Sequence, residues 1–319
     1  MLARAKTLLL VSLAAIFLVS WFSDYINAYY LDVIMGIGIN IILAVSLNLI
    51  NGYTGQFSLG HAGFMAVGAY TAAAVTMFGG PHILAAIGGA NAATTAALFL
   101  VALVAGGLVA SLAGLAVGVP SLRLKGDYLA IVTLGFGEII RVIFRNIDSL
   151  GGALGLTGIP PYTNFFWVFS FAALTIYVVA CMVNSTYGRG FIAVHDDEVA
   201  AEAMGLNTTK YKIIAFIVGA FFAGIAGGIY GHFKLSIDPK GFDFIKSIEI
   251  VVMVILGGMG NTVGVILAAI LLTVLPEVLR PVAQYRMMLY SLLLIVLMLT
   301  RPQGLFTPRK RALAQRKTT

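Results

Sequence analysis

The sequence predicts an all-α polytopic membrane protein, and its composition is the first reason. Of the 319 residues, 60% are hydrophobic and 10% are charged, whereas soluble domains carry roughly 25% charged residues. A chain with so few charges cannot cover a water-facing surface, which excludes a soluble enzyme, a disordered regulator and a disulfide-stapled secreted module. The class that remains is a membrane protein built from helices of about 20 apolar residues, because a bilayer supplies no water to hydrogen bond with backbone polar groups.

A series of apolar runs is the second reason. Polar or Gly/Pro breaks separate them, and the 36 glycines favour close packing between helices. We expect about ten transmembrane helices over roughly 7–300, in a single transmembrane domain covering 1–319. The stretch 83–92 is too short to cross alone, so we expect a re-entrant piece or the start of the next helix. The runs occupy 7–23, 31–50, 57–78, 94–119, 128–147, 164–184, 211–232, 247–260, 262–279 and 286–300.

The positions of the basic residues predict the orientation. With the N-terminus in the cytoplasm, most of the 20 Lys and Arg lie on the cytoplasmic side, so both termini are cytoplasmic and the span number is even. The first run is expected to be an uncleaved span. The basic 301–319 segment is expected to be a cytoplasmic tail beside anionic lipid, with no nucleic acid as partner. The second to fifth and seventh to tenth spans then run oppositely, which predicts inverted-repeat halves.

Two Gly-rich polar segments, 51–63 and 256–264, interrupt the apolar pattern. Irregular backbone at membrane depth is tolerated where protein buries it or where it lines a polar cavity. Their polar and glycine residues are therefore candidates either for satisfying the broken backbone or for lining a pathway. These candidates are Asn51, Tyr53, Gln56, His61, Gly257, Gly258 and Asn261.

Charged residues inside the predicted spans form a second set of candidates. Glu138 and Arg141 are three residues apart, so one helix face brings them within pairing distance. They either fix helix packing as an ion pair or line a pathway. Glu249, at the start of the eighth span, either lies at the outer interface or lines a vestibule.

Catalytic and metal-binding motifs are missing from the sequence. It contains no G-x-x-x-x-G-K-[ST], no H-E-x-x-H and no G-x-S-x-G, and Cys181 is its one cysteine. We therefore expect neither an enzyme, nor a metal site, nor a cofactor.

The polar segment 185–212 is the longest soluble stretch between spans and contains a predicted short helix. Asp196 is its expected N-cap, Asp197 and Glu198 favour the positive end of the helix dipole, and Gly205 ends it in the left-handed conformation. Such a short helix needs a surface to rest on, which its own bundle or a partner would provide. Its small apolar face consists of Val199, Ala200, Ala203 and Met204.

Several stretches resemble a known family. Residues 200–207 resemble the cytoplasmic coupling loop of ABC importer permeases, whose short helix docks on the ATPase subunit. Residues 48–65, 126–138, 256–261, 285–287 and 301–305 resemble, in order, LivM-type permease subunits of branched-chain amino acid ABC importers (the LivH/LivM family).

The resemblance implies an ABC importer permease fold and a bacterial-type inner-membrane location. It implies a heterodimer with a LivH-type permease, two cytoplasmic ATPases that bind the ATP, and a periplasmic or lipid-anchored amino-acid-binding protein. The implied cargo is a branched-chain or other hydrophobic amino acid, and the alternative cargo is urea or a short amide. The alternative class of protein is a secondary transporter or channel that works without an ATPase, which the inverted halves alone would allow. The implied ATPase-coupling residues, within the 185–212 loop, are Asp196, Asp197, Glu198, Ala201, Glu202, Ala203, Met204, Gly205 and Leu206.

Overall fold

The structure, a computed structural model, is a helical bundle with one two-stranded ribbon in its described part. It describes residues 2–22, 26–86, 89, 91–121 and 127–280, together with 285, 288, 291, 292, 295, 296, 299, 304 and 305. The described helices are α1 (Leu2–Phe22), α2 (Ala28–Asn48), α3 (His61–Ala74), α4 (Gly80–Ala86), α5 (Ala92–Ser121), α6 (Asp127–Arg145), α7 (Phe165–Val183), α8 (Thr186–Asp196), α9 (Glu198–Ala203), α10 (Thr208–Lys234), α11 (Phe244–Gly257) and α12 (Thr262–Val278).

Short polar side chains fix where many of these helices begin. In each case a side-chain oxygen accepts a hydrogen bond from a backbone N–H of the first turn, which has no partner inside the helix. The apolar runs therefore become helices with defined starts. The capping residues are Asn27 for α2, Asn164 for α7, Ser185 for α8, Asn207 for α10, Asp243 for α11 and Asn261 for α12.

Five described helical stretches are long and apolar enough to cross a membrane. α11 has 14 residues, or about 21 Å at 1.5 Å per residue, which is shorter than a hydrocarbon core of about 30 Å. The count of about ten spans and the inverted repeat therefore stay predictions. The tenth predicted span, 286–300, and the tail, 301–319, lie mostly outside the described residues. The five stretches are Ala28–Tyr53, His61–Ala85, Ala92–Pro120, Phe165–Val183 and Thr208–Lys234.

The stretch 83–92 is placed differently from the prediction. α3 continues through a π-helical turn, Val75–Gly79, into α4, so residues 83–86 extend the third predicted span. Ala92, at the other end of the stretch, is the first residue of α5. Gly89 lies between the two helices with a φ of +111°, in the left-handed region that glycine adopts easily. The described part of the stretch is therefore divided between the third predicted span and the start of the next helix.

Small residues bring α3, α5 and α10 into close contact at the centre of the bundle. A Cβ atom on Gly68 would collide with the backbone of Gly224, and one on Gly224 would lie 2.5 Å from Cβ of Ala110 and 2.8 Å from the carbonyl oxygen of Gly106. α2 packs beside this group and also contacts α7, α11 and α12, and its residues 41–48 are all buried. The position of α2 places the residues that follow it deep in the bundle.

The antiparallel ribbon joins the connection after α6 to the connection after α10. β1 (Leu156–Thr157) pairs with β2 (Ser236–Ile237), with Leu156 opposite Ile237. The ends of α6 and α10 that lie far from the 185–212 segment are thereby held together.

The close helix contact predicts opposite effects of one substitution at two glycines. Gly224→Ala should lower stability, because overpacking a tight interface costs about 1–3 kcal/mol. Gly135→Ala in α6, where an added Cβ meets nothing within 4 Å, should raise it by about 0.5–1 kcal/mol through the helix preference of alanine. Thermal unfolding midpoints in detergent measure both effects. An unchanged or raised midpoint for Gly224→Ala would contradict the packing.

Candidate functional site

The first Gly-rich segment turns the chain between α2 and α3 inside the bundle. Residues 49–53 continue α2 as a wide π-helical turn, so the irregular backbone covers 54–60 and begins later than the predicted 51. The Asn51 side-chain amide donates to the carbonyl oxygen of Ser58 (3.3 Å) and accepts from its N–H (3.2 Å). The Gln56 N–H donates to the carbonyl oxygen of Ile50 (3.1 Å). Asn51 therefore replaces the backbone partners that the turn lacks.

The second Gly-rich segment is a tight turn between α11 and α12. Asn261 caps α12 by accepting from the N–H of Gly264 (3.3 Å). A Cβ on Gly257 would collide with the backbone of residues 264–265, so the two helices meet there without intervening side chains. Gly258 has a φ of +93°, and Gly304 packs directly against it.

The two segments touch each other. The Asn48 side-chain oxygen accepts from the N–H of Gly260 (3.0 Å), and the hydroxyl groups of Tyr53 and Thr262 lie 2.9 Å apart. The two residues of each pair are more than 200 positions apart in the sequence. The structure thus brings Asn51, Tyr53, Gly258 and their neighbours together at one junction of α2, α11 and α12.

A buried polar cluster adjoins this junction. Nε2 of His61 lies 2.9 Å from the hydroxyl of Ser46, and the N–H of Ala62 donates to the hydroxyl of Ser247 (3.2 Å). Three of its buried polar atoms have no hydrogen-bond partner among the described residues: Nδ2 of Asn48, Oγ of Ser58 and Nδ1 of His61. A buried polar atom without a partner costs about 1–3 kcal/mol.

The short helix of the 185–212 segment, α9, is capped at both ends. Oδ1 of Asp197 accepts from the N–H groups of Val199 (2.9 Å) and Ala200 (3.0 Å). The predicted N-cap, Asp196, is wrong, because Asp196 is the last residue of α8 and the backbone becomes extended only at Asp197.

The other end of α9 closes as predicted at Gly205. The φ of Gly205 is +84°. Its N–H donates to the carbonyl oxygen of Glu202 (2.9 Å), and the N–H of Leu206 donates to the carbonyl oxygen of Ala201 (3.0 Å). This pair of bonds is a Schellman motif, which satisfies the last carbonyl groups of a helix.

Two side-chain contacts attach α9 to the start of α10. Nζ of Lys212 lies 2.6 Å from Oε1 of Glu198, and the Lys212 side chain is only 2% exposed. The hydroxyl of Thr208 donates to Oε1 of Glu202 (2.7 Å). By its position in the sequence, Lys212 was one of many cations on the predicted cytoplasmic side. It is the second residue of the predicted span 211–232, and a cation at that place, near acidic residues of the adjoining loop, was the signal for this ion pair.

The outward side of α9 is apolar and uncovered. Val199 is 65% exposed and Met204 is 84% exposed, whereas Ala201, at 5%, faces the bundle. The predicted apolar face therefore does not rest on its own bundle. The exposed pair leaves a small hydrophobic surface on a rigid helix.

An inner cavity of about 200 Å³ joins the first Gly-rich segment to the 185–212 segment. Thr54 and Gln56 line one side of it, and His195, Glu198 and Lys212 line the other. A Cβ on Gly55 would lie 2.7 Å from Nδ1 of His195, so the backbone of the turn and α8 are in direct contact. A shift of α8 or α9 therefore changes this cavity.

The remaining charged candidates lie apart from this site. Arg141 and Glu138 form the expected i, i+3 ion pair (2.6 Å) with both side chains partly exposed, and neither lines the inner cavity. Glu249 pairs with Lys246 in the first turns of α11 (3.2 Å). Among the described residues, no group of three or more His, Cys, Asp or Glu is placed to hold a metal ion.

Comparison with known proteins identifies the family. A family model described as "Branched-chain amino acid transport system / permease component" matches residues 29–300. The chain belongs to this family. The resemblance noted in the sequence is thereby confirmed at the level of the family.

Individual relatives agree with this membership. The chain is 34% identical to the high-affinity branched-chain amino acid transport system permease protein LivM of Salmonella typhimurium and 35% identical to that of Escherichia coli. Each alignment covers 79% of this chain and 64% of the relative, so the chain spans less than two thirds of these proteins. The probable LivM of Methanocaldococcus jannaschii is 28% identical over 62% of this chain and 66% of its own length.

The buried ion pair predicts how firmly α9 is held. Glu198→Gln leaves the Lys212 ammonium group buried without a counter-charge, a change that costs up to about 3–5 kcal/mol for fully buried pairs and less here, because Glu198 is partly exposed. The segment should open more often, and a glutamyl endopeptidase should cleave after Glu202 about tenfold faster.

Replacing both partners, Glu198→Gln with Lys212→Met, should restore much of the protection against this cleavage. Lys210→Met, at an exposed neighbour, is the control and should change nothing. Equal cleavage of Glu198→Gln and wild type would contradict this role.

Proposed function

We propose that this chain is the transmembrane permease subunit of an ATP-binding-cassette importer. It moves branched-chain (Leu, Ile, Val) or other hydrophobic amino acids into the cytoplasm by alternating access that partner ATPases drive. The observation that carries the proposal is α9: a rigid, doubly capped helix with exposed Val199 and Met204, attached to α10 by a buried ion pair. Family membership supports it.

The contacts of α9 provide a route from a docked ATPase to the pore. A displacement of α9 acts on α10 through the Glu198–Lys212 and Glu202–Thr208 contacts. Lys212 also lines the inner cavity, opposite the turn at Thr54 and Gln56. Movement of the docked helix as a rigid body therefore opens or closes the inner cavity, as alternating access requires.

The proposal includes partners and a placement in the membrane. The partners are a LivH-type second permease, two cytoplasmic ABC ATPases that bind and hydrolyse the ATP, and a periplasmic or lipid-anchored amino-acid-binding protein. The chain itself is a transport subunit, not an enzyme, and needs no cofactor. It is a single domain in the inner membrane, with about ten spans in inverted-repeat halves. The 185–212 coupling loop, the basic 301–319 tail and both termini are in the cytoplasm. Partial matches to LivH of Salmonella typhimurium (29% identical over 44% of this chain) support a related second permease.

Transport by the assembled complex tests the proposal. The chain should co-purify with a second permease and two ATPase chains, and proteoliposomes should take up leucine only with ATP and a binding protein. Uptake of urea or acetamide in place of leucine would reassign the cargo. Ion-gradient-driven uptake by this chain alone would overturn the proposal in favour of a secondary transporter or channel.

The left-handed cap at Gly205 predicts a contrast between two substitutions at that position. An added side chain meets nothing within 4 Å there, so only backbone strain acts, at about 1–3 kcal/mol for a β-branched residue. Gly205→Val should reduce ATP-dependent uptake and its coupling to ATP hydrolysis while membrane insertion stays normal. Gly205→Asn should keep most activity, since asparagine tolerates this conformation. Wild-type uptake by Gly205→Val would count against a rigid coupling helix.

A further inference from the structure

A second cavity, the outer cavity, lies at the opposite end of α10 from the coupling helix. Its volume is about 150 Å³, the space of about five water molecules at about 30 Å³ each, which suits a small molecule. Lys234, at its rim, and Lys212, at the inner cavity, are 22 positions apart on α10, or about 33 Å along the helix axis. The outer cavity also follows α2 from Asp32 to Asn40, which is about 12 Å of helix. It therefore enters the bundle rather than lying flat on its end.

The charges that line this cavity have both signs and come from four helices. Asp32 of α2 pairs with Lys234 of α10 (2.6 Å), and Lys246 of α11 and Glu277 of α12 also line the cavity. Glu277 accepts a hydrogen bond from the hydroxyl of Tyr29 (2.5 Å) and has no ion pair within 4 Å among the described residues. Arg280, whose guanidinium group lies 4.9 Å from the centroid of the Tyr29 ring, interacts with Glu277 electrostatically over a longer distance. Lys246 is three-quarters buried, and its contact to Glu249 is long, at 3.2 Å.

The inner part of the cavity is mainly apolar. Val33, Ile39 and Met65 line it, and the pair Asn40 and Thr273, whose side chains are hydrogen bonded (2.9 Å), lies among them. Charges of both signs at the rim with aliphatic side chains beneath match a molecule that has an ammonium group, a carboxylate group and an aliphatic side chain.

We propose that the outer cavity is a transient binding site for the zwitterionic amino acid that the permease receives. The ammonium groups of Lys234 and Lys246 bind the carboxylate of the cargo, the carboxylate of Glu277 binds its ammonium group, and the aliphatic side chain lies on Val33, Ile39 and Met65. The inference rests on the proposed function and adds a selectivity to it. Urea and short amides carry no charge, so they leave this set of groups unsatisfied.

The position of the outer cavity fits an entry site. Along the chain, α2 lines the outer cavity at 32–40, contributes Ser46 and Asn48 to the buried polar cluster, and leads to the inner cavity at 54–57. The residues of the cluster are buried, and along the chain they lie between the parts that line the two cavities. A cargo molecule in the outer cavity is therefore held outside the closed part of the path.

Thiol labelling of the complete complex tests this site separately from transport. The native Cys181 is replaced by alanine, and Gly36→Cys places a thiol in the cavity, where its Cβ makes only an ordinary contact with Thr273 (3.8 Å). Gly241→Cys is the control, because that glycine lies beyond the end of α10, is exposed and is open to solvent. A membrane-impermeant maleimide is added from outside, with or without leucine, 4-methylpentanoate or 3-methylbutylamine.

Leucine should slow the labelling of Gly36→Cys. Each analogue lacks one of the two charged groups, so it should need roughly tenfold higher concentrations for equal protection. Gly241→Cys should react equally under all conditions. Adding Glu277→Gln should remove protection by leucine, whereas Asp238→Asn, which alters a carboxylate on the same side but outside the cavity, should keep it.

The outcomes separate this site from the proposed function. If Gly36→Cys reacts at one rate with and without leucine, or does not react from outside while Gly241→Cys does, the site is wrong even where ATP-driven leucine uptake is normal. If leucine protects but ATP drives no uptake, the site holds and the proposed function fails. Equal protection by leucine and by both analogues would show a merely apolar pocket and would also overturn the zwitterion site.

Discussion

Irregular backbone inside an apolar bundle must find hydrogen-bond partners within the protein, and this constraint governs the junction of α2, α3, α11 and α12. The amide of Asn51 takes both backbone groups of Ser58, and Asn48 accepts the N–H of Gly260. An unsatisfied backbone group in a low-dielectric interior costs several kcal/mol, on the order of a whole hydrogen bond. The first break is satisfied largely within itself, and the Asn48–Gly260 and Tyr53–Thr262 contacts fix the two breaks to one another.

The buried charge of Lys212 extends the same constraint to α9. Taking an ammonium group out of water is costly unless a counter-charge goes with it, and Glu198 of α9 supplies that charge at 2.6 Å. α9 cannot move away without leaving Lys212 unpaired, so α9 and α10 move together. A six-residue helix, unstable by itself, is in this way made a rigid part of the bundle while its apolar side stays exposed.

Both cavities depend on where α2 and α10 run. The first part of α2 and the end of α10 line the outer cavity, which has charges of both signs, whereas the turn after α2 and the start of α10 line the inner cavity beside α9. The buried cluster around Ser46 and His61 lies between them. The alternating access proposed above needs such a closed middle between two accessible ends, because opening one end must accompany closure of the other.

The sequence by itself determined the features that depend on composition and on neighbours along the chain. The scarcity of charge predicted a helical membrane protein, continuous apolar runs located α2, α5, α7 and α10, and the Glu138–Arg141 pair followed from i, i+3 spacing. The left-handed end of α9 at Gly205 was local as well. The N-cap was missed by one residue, because α8 uses Asp196 for its own last turn.

Only the tertiary structure decided which distant groups meet. The Glu198–Lys212 pair, the Asn48–Gly260 bond and the four-helix charge pattern around Glu277 join residues 14 to more than 200 positions apart. Such contacts depend on how helix backbones cross, which at Gly68, Gly106 and Gly224 is set by the absence of side chains at facing positions. Hydrophobic periodicity shows which face of a helix is apolar, but not which neighbour it meets, and both cavities result from that choice.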